Sequence, residues 1–490
     1  MIAKRSLLLS VLFPAVTLLG AAQAFGQNTT TTNTVNGLTP PSPYLGSAAH
    51  GTATQEVLKI GFADAIERGL KYNLGLLLAG QDVTSARGER WKQLSDALPN
   101  VTTNTTETAE KINLEQNGFN KIRVPNSPFA GINPIAGPFG FFDTRAYVST
   151  PILDWSSIQK VRSATESLRA SRASYKSARE LVVLTVGYEY LLAISAASRI
   201  ETADAQLKTA EALYNQASDR LTAGTSPQID ALRAKVEFQT RRQQLISARN
   251  DFEKQRLAVA RTIGLPAGQP FELTEKIPYD KPEPISVEAA LQQAYAARPD
   301  FQAAQAQLRA AEIARRAAFA EYYPTLSFEG NYGAGGETPS HLDGTFEAQG
   351  SLKIPIFQGG KVHSDTLKAD AALANNRNQL ENLRGQIDQD VRDAILDLQS
   401  AAEQVEVAKS NVDLAGQTLD QARDRFIAGV TDNIEVVQAQ DSVASANESY
   451  ISSLFNYTLA RLSLARAEGT AETGVLNYLR GKGNAPKDGN

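Results

Sequence analysis

At 490 residues the chain is long enough for more than one domain, and its 49 Lys and Arg against 53 Asp and Glu (net charge −4) give no argument for a nucleic-acid partner. With 0 cysteines there is no disulfide framework, thiol catalysis or thiolate metal site, and three histidines (His50, His341, His363) are too few and too scattered for a metal cluster. No nucleophile-base pairing, paired carboxylates or phosphate-cradling glycine loop stands out, so no catalytic residue, metal site or cofactor is expected.

Lys4-Arg5, an apolar run from Leu7 to Leu19 and the small-x-small step Ala22-Gln23-Ala24 have the pattern of a secretory signal over residues 1–24. No cysteine follows it to carry a lipid. Residues 25–55, rich in Thr, Asn, Pro and Gly without periodicity, read as a disordered leader. A helix is expected from about Glu56 to Ala97, stopped by Pro99. A weakly marked strand lies within 102–108, then a long loop from Asn117 to Pro138. Phe142, Ala146, Val148 and Ile152 next tend to alternate with polar residues, the period of a strand. Pro151-Ile152-Leu153-Asp154-Trp155 closes that strand and opens a helix to about Thr222.

In the second half of this helix Ala193, Ala196, Ile200, Ala203, Leu207, Ala210, Tyr214, Ala217 and Leu221 recur in steps of three and four, a coiled-coil seam. Leu181 to Ser198 is apolar enough to suggest a membrane span, but Tyr188, Glu189 and Tyr190 favour a buried bundle helix. A return helix runs from about Pro227 to Ile263. A proline-rich linker, 278–285, then separates a first repeat (56–277) from a second (286–469). The second has a helix from about Val287 to Tyr322 ended by Pro324, and strands in which Leu326, Phe328 and Tyr332, then Phe346, Ala348, Leu352 and Ile354, alternate with polar residues. Its own long hairpin follows, before a polar tail, 470–490.

The repeat is fixed by its turns. Asp219-Arg220-Leu221-Thr222-Ala223-Gly224 returns 205 residues later as Asp424-Arg425-Phe426-Ile427-Ala428-Gly429, each ending a seam at a glycine placed for a left-handed cap. Helix-start residues follow, Ser226-Pro227 and Thr431-Asp432 with Glu435. Gly224 to Gly264 and Gly429 to Gly469 are both 40 residues, whereas Pro99 to Pro151 is 52 and Pro324 to Pro355 only 31. The hairpins are thus length-matched, and the surplus falls in a loop at an exposed end. The fold class is mainly α with a small β part, a duplicated unit of long helical hairpins plus two strands. Helices of this length span on the order of 100 Å at ~1.5 Å per residue, which suits a tube. Four alternating strands cannot close around a lumen, and bare edges are not tolerated in lipid. If the strands lie in a membrane, several chains share one barrel, and three would give twelve strands.

These features together resemble the TolC-type outer-membrane factors over about residues 56 to 469. The resemblance rests on the duplication, on Leu98-Pro99 and Tyr323-Pro324 at helix-to-strand changes, on Pro-Ile-Leu-Asp-Trp and Pro-Ile-Phe-Gln-Gly-Gly at strand-to-helix changes, and on the paired Arg-Leu-Thr-Ala-Gly and Arg-Phe-Ile-Ala-Gly turns. It implies a homotrimer with a 12-stranded outer-membrane β-barrel continued by a periplasmic α-barrel. The protein would be a passive exit duct for small molecules or proteins, opened by a periplasmic adaptor (membrane fusion) protein and an inner-membrane pump of RND or ABC type. Adaptor contacts would fall on Leu221, Gly224, Phe426 and Gly429. The family narrows its tip with acidic residues, which places gate positions on Glu435, Gln438 and Asp230, with Gln438 departing from the acidic pattern. Trp155 would sit at the inner membrane-water boundary. The competing reading is a periplasmic coiled-coil scaffold without channel activity.

Overall fold

The computed structural model describes residues 42–117, 135–275, 279–281, 284–431, 433–472 and 474. The expected signal segment, the leader up to residue 41, most of the long loop, part of the linker and the tail from 475 lie outside the described residues.

Each repeat opens with two helices where one was expected. In the first, α1 (Phe62–Tyr72) gives way to α2 (Leu74–Ser95) at Asn73, whose backbone is extended (φ −63, ψ 131). Its side chain accepts from Gly75 N at 3.0 Å and donates to Tyr44 O at 2.6 Å, so the break is an asparagine N-cap. In the second, α5 (Val287–Ala297) and α6 (Pro299–Phe319) part at Arg298, because Pro299 disfavours the helical conformation in the residue before it. The leader corrects an expectation too. Residues 42–45 form a short 3-10 helix, Ser47 bridges to Asn73, and His50 stacks on Tyr72 at 5.1 Å. This segment is pinned by the helix break that the sequence pattern had not marked.

The long elements follow the periodicity closely. α3 (Trp155–Thr222) has 68 residues and is capped by Asp154, which accepts from Ser157 N at 3.1 Å. α4 (Gln228–Thr262) returns beside it. In the second repeat α7 (Lys361–Ile427) and α8 (Asn433–Ala467) do the same. The seam is buried along Val391, Ala394, Leu398, Ala401, Val405, Ala408, Ala422 and Phe426, and in the first repeat at Ala193, Ala196, Ala210 and Ala217. The apolar stretch of α3 around Val182, Val183 and Val186 is buried against Phe62 and Ile66 of α1, the interior role that its tyrosines and Glu189 suggested.

Two sheets complete the described residues. β1 (Leu58–Ile60) pairs in parallel with β4 (Phe271–Leu273), a contact across more than two hundred residues that no local pattern announces. The larger sheet runs β2 (Asn100–Asn113), β3 (Ile135–Leu153), β5 (Thr325–Thr338) and β6 (His341–Lys353) in the order β2-β3-β5-β6, all antiparallel. The strands are longer than the alternation suggested, and β2 and β6 are the two edges.

Candidate functional site: a two-faced sheet and a paired helical tip

Directly opposed residues in an antiparallel sheet share a face, so register sorts the side chains. One row set joins Val101 to Val148 to Gly330 to Ala348, and Thr103 to Ala146 to Tyr332 to Phe346. Among these rows the large apolar residues stand open to the surroundings, with Phe346 at 79% and Tyr332 at 71% exposed. Four successive alternate rows are largely polar, Thr106–Asp143–Gly335–Asp343, Asn104–Arg145–Gly333–Thr345, Thr102–Tyr147–Asn331–Glu347 and Asn100–Ser149–Glu329–Gln349, and beyond them Phe141 and Phe139 stand on the same face opposite Thr108 and Glu110. Arg145 donates to Asp143 (2.7 and 2.9 Å) and to Asn331 (3.0 Å), and Asn331 donates to Glu347 at 3.1 Å. A hydrogen-bonded chain therefore crosses three strands on the polar face. Exposed aromatic and aliphatic rows on one side and charged rows on the other are the pattern of a sheet with lipid on one face and water on the other.

The helical tip, at the opposite end of the hairpins from the sheet, is built twice. Gly224 and Gly429 both have φ +73, with nothing within 4 Å of the place where a Cβ would stand. The turns close by the same bonds, Thr225 N to Arg220 O (2.9 Å) and Val430 N to Arg425 O (3.0 Å). Ser226 donates to Asp230 at 2.9 Å, and Thr431 donates to Glu435 at 2.6 Å, so the two acidic gate candidates are repeat equivalents held by equivalent hydroxyls. Glu435 also pairs with Arg425 at 3.1 Å, and Asp230 is buried with Arg233 3.8 Å away. Gln438 is exposed on α8.

The docking candidates separate. Leu221 is partly open at 37% exposure, whereas Phe426 is buried among Ala217, Ala231, Ala422 and Val436. Arg220 covers the Phe426 ring at 4.5 Å and donates to Phe426 O at 3.2 Å. Phe426 thus holds the turn from within rather than offering its ring outward. Ile427 and Val430 also present apolar groups there, and sequence reasoning passed over them. Their repeat equivalents are Thr222 and Thr225, so position in the repeat gave no hint of them.

These features define a chain whose sheet belongs in an outer membrane and whose hairpins extend away from it as a channel wall. The chain belongs to the outer membrane efflux protein family, whose profile matches residues 136–265 and 290–470. It is 23% identical over 431 residues to the probable efflux pump outer membrane protein TtgC of Pseudomonas putida, covering 84% of each chain. It is 22% identical over 355 residues to the alkaline protease secretion protein AprF of Pseudomonas aeruginosa, covering 69% of this chain and 72% of that one. Among solved structures, the outer membrane protein VceC of Vibrio cholerae superposes with a TM-score of 0.70 at 18% identity, over 83% of this chain and 96% of that one. The protein is an outer-membrane channel of the efflux and secretion type that reaches into the periplasm.

Proposed function

We propose that three copies assemble into one exit duct, each contributing four strands to a twelve-stranded barrel and two hairpins to a hollow helical cylinder. One observation carries this. The four-stranded sheet has an exposed apolar face, a charged face and two unpaired edges, β2 and β6, and four strands are too few to surround water. A periplasmic scaffold would leave Phe346 and Tyr332 in water for no gain.

The tip is the gate and the docking place. Leu221, Ile427 and Val430 offer apolar contact to a periplasmic adaptor, Gly224 and Gly429 shape the turns, and Asp230 and Glu435 hold the returning helices. Gln438 stands beside them as the uncharged gate position. An adaptor that engages these turns pulls on both hairpins at once. Transport is passive in this chain, and energy comes from an inner-membrane pump of RND or ABC type. The cargo class is small molecules or proteins; TtgC is named for an efflux pump and AprF for secretion of an alkaline protease.

The test is the native mass of protein extracted in mild detergent from isolated outer membranes. A trimer is expected; a monomer recovered from the soluble periplasm would remove the proposal. For the docking site, Gly429→Val should impair efflux in cells while trimers still assemble, and undiminished efflux would move docking elsewhere.

A further inference from the structure

The polar rows of the sheet carry more than a hydration layer. Asp143, Glu329, Asp343 and Glu347 stand on that face with Arg145 as the cation among them, a net charge of −3 per chain over four successive rows. Rows on one face are two residues apart, so these four span roughly 20 Å along the strands at about 3.3 Å per residue. Lys353 at the helical end of the face is matched by Glu110 at the far end of β2. The opposite face has a single charge within its paired rows, Glu107. Arg145 is engaged by Asp143 and Asn331, while Glu329 and Asp343 are exposed. The tip looks different. Glu435 is neutralised by Arg425, and Asp230 is buried near Arg233.

We infer that the barrel lumen, rather than the tip, sets the charge preference of the duct: Glu329, Asp343 and Glu347 favour cations, and Arg145 is the counterweight that limits how strongly. This rests on the trimeric duct proposed above, in which threefold assembly closes the polar face on itself and triples its charge. No ion needs to be held in place. Charge of one sign on the wall of a water-filled passage through low-dielectric surroundings enriches counter-ions throughout it. Such a field is long in range and soft, so it acts on small ions and on the charged parts of cargo as they leave.

The experiment is the reversal potential of purified trimers in planar bilayers under a KCl gradient. Wild type is expected to prefer K+ over Cl−. Combining Glu329→Gln, Asp343→Asn and Glu347→Gln should lower the permeability ratio by roughly threefold or more, Arg145→Gln should raise it, and Glu435→Gln should leave it near wild type. Because the Debye length falls from about 10 Å at 0.1 M to about 3 Å at 1 M salt, the wild-type preference should also fade between those concentrations. That measurement needs no variant to fold. A Glu435→Gln channel that loses its preference, a triple variant that keeps it, or a preference unchanged at 1 M salt would overturn the inference while leaving the duct intact. Wild-type protein that forms neither trimers nor conducting channels would overturn the duct and this inference together.

Discussion

The tip and the junction above it each turn on two glycines, used in different ways. Gly224 and Gly429 at the tip, and Gly264 and Gly469 where the return helices end, all have φ of +73 or +74. At the tip a Cβ would meet nothing. At the junction it would stand 2.6 Å from Tyr72 Cβ in the first repeat and 2.6 Å from Arg298 N in the second. The tip glycines answer only to backbone conformation, whereas the junction glycines also admit the break between the two short helices of each repeat. That break is made by Asn73 in one repeat and Arg298 in the other. One backbone plan is thus held by different chemistry, and the tightly packed end is the one farther from the hairpin turns.

The comparison can be broken by substitution. Gly469→Ala should cost about 3 kcal/mol, left-handed strain added to a collision with backbone, and thermal unfolding of the extracted protein measures it. Arg298→Met should cost a similar amount, roughly 3 kcal/mol. Arg298 pairs with Asp300 at 2.7 Å and Asp390 at 2.9 Å, and its loss leaves the half-buried Asp300 with the Phe301 backbone N–H at 2.8 Å and, as its nearest cation, Arg466 at 3.9 Å. A loss well under 1 kcal/mol in either variant would mean that the junction yields more readily than its packing indicates.

A pH dependence sharpens the same contrast. Burial pushes the Glu180 carboxyl up to about 7, only partly offset by Arg466, which it meets at 2.9 Å. The folded state therefore keeps this proton to a higher pH than the unfolded chain. The stability it contributes is fully present below the unfolded value of 4.5 and is lost as pH rises through about 7. Melting temperatures should fall between pH 5 and pH 7.5, and fall less in Glu180→Gln; equal slopes would assign the dependence elsewhere. The smallest effect belongs to the tip. Gly429→Ala should cost about 1 kcal/mol, conformational strain without collision, and a loss as large as that of Gly469→Ala would erase the distinction.

Legibility in the sequence followed the range of the interaction. The hairpins were readable because a seam repeats every three or four residues for dozens of residues, and the 205-residue offset checked it against itself. The helix break at Asn73 was missed although its signal, an N-capping asparagine, was present, because the apolar pattern runs on through it. Arg298-Pro299 hid in the same way. The three-residue strands β1 and β4 carry too little periodicity to mark, and their pairing depends on the whole first repeat being folded between them. At the tip, Asp230 and Glu435 are candidates by position alone, and their pairing with Ser226, Thr431 and Arg425 and the covering of Phe426 by Arg220 are side-chain facts that spacing does not encode. The charged rows of the sheet were invisible until register aligned four strands, since each strand contributes only one or two of the residues.

The most direct test of the shared barrel joins its open edges. β3 and β5 place Tyr147 opposite Asn331 and Arg145 opposite Gly333. Matching Pro151 with Pro355 and Pro99 with Pro324 carries those pairs to the edges, setting Ser351 of β6 opposite Thr106 of the next chain's β2, and Gln349 opposite Thr108. With 0 native cysteines, Ser351→Cys combined with Thr106→Cys should form disulfides between chains in outer membranes, giving covalent trimers on a denaturing gel. Replacing the Thr106 partner by Glu107→Cys, which points to the other face, should not. Monomers from the first pair, or crosslinking that favours the second, would contradict the twelve-stranded barrel in this register.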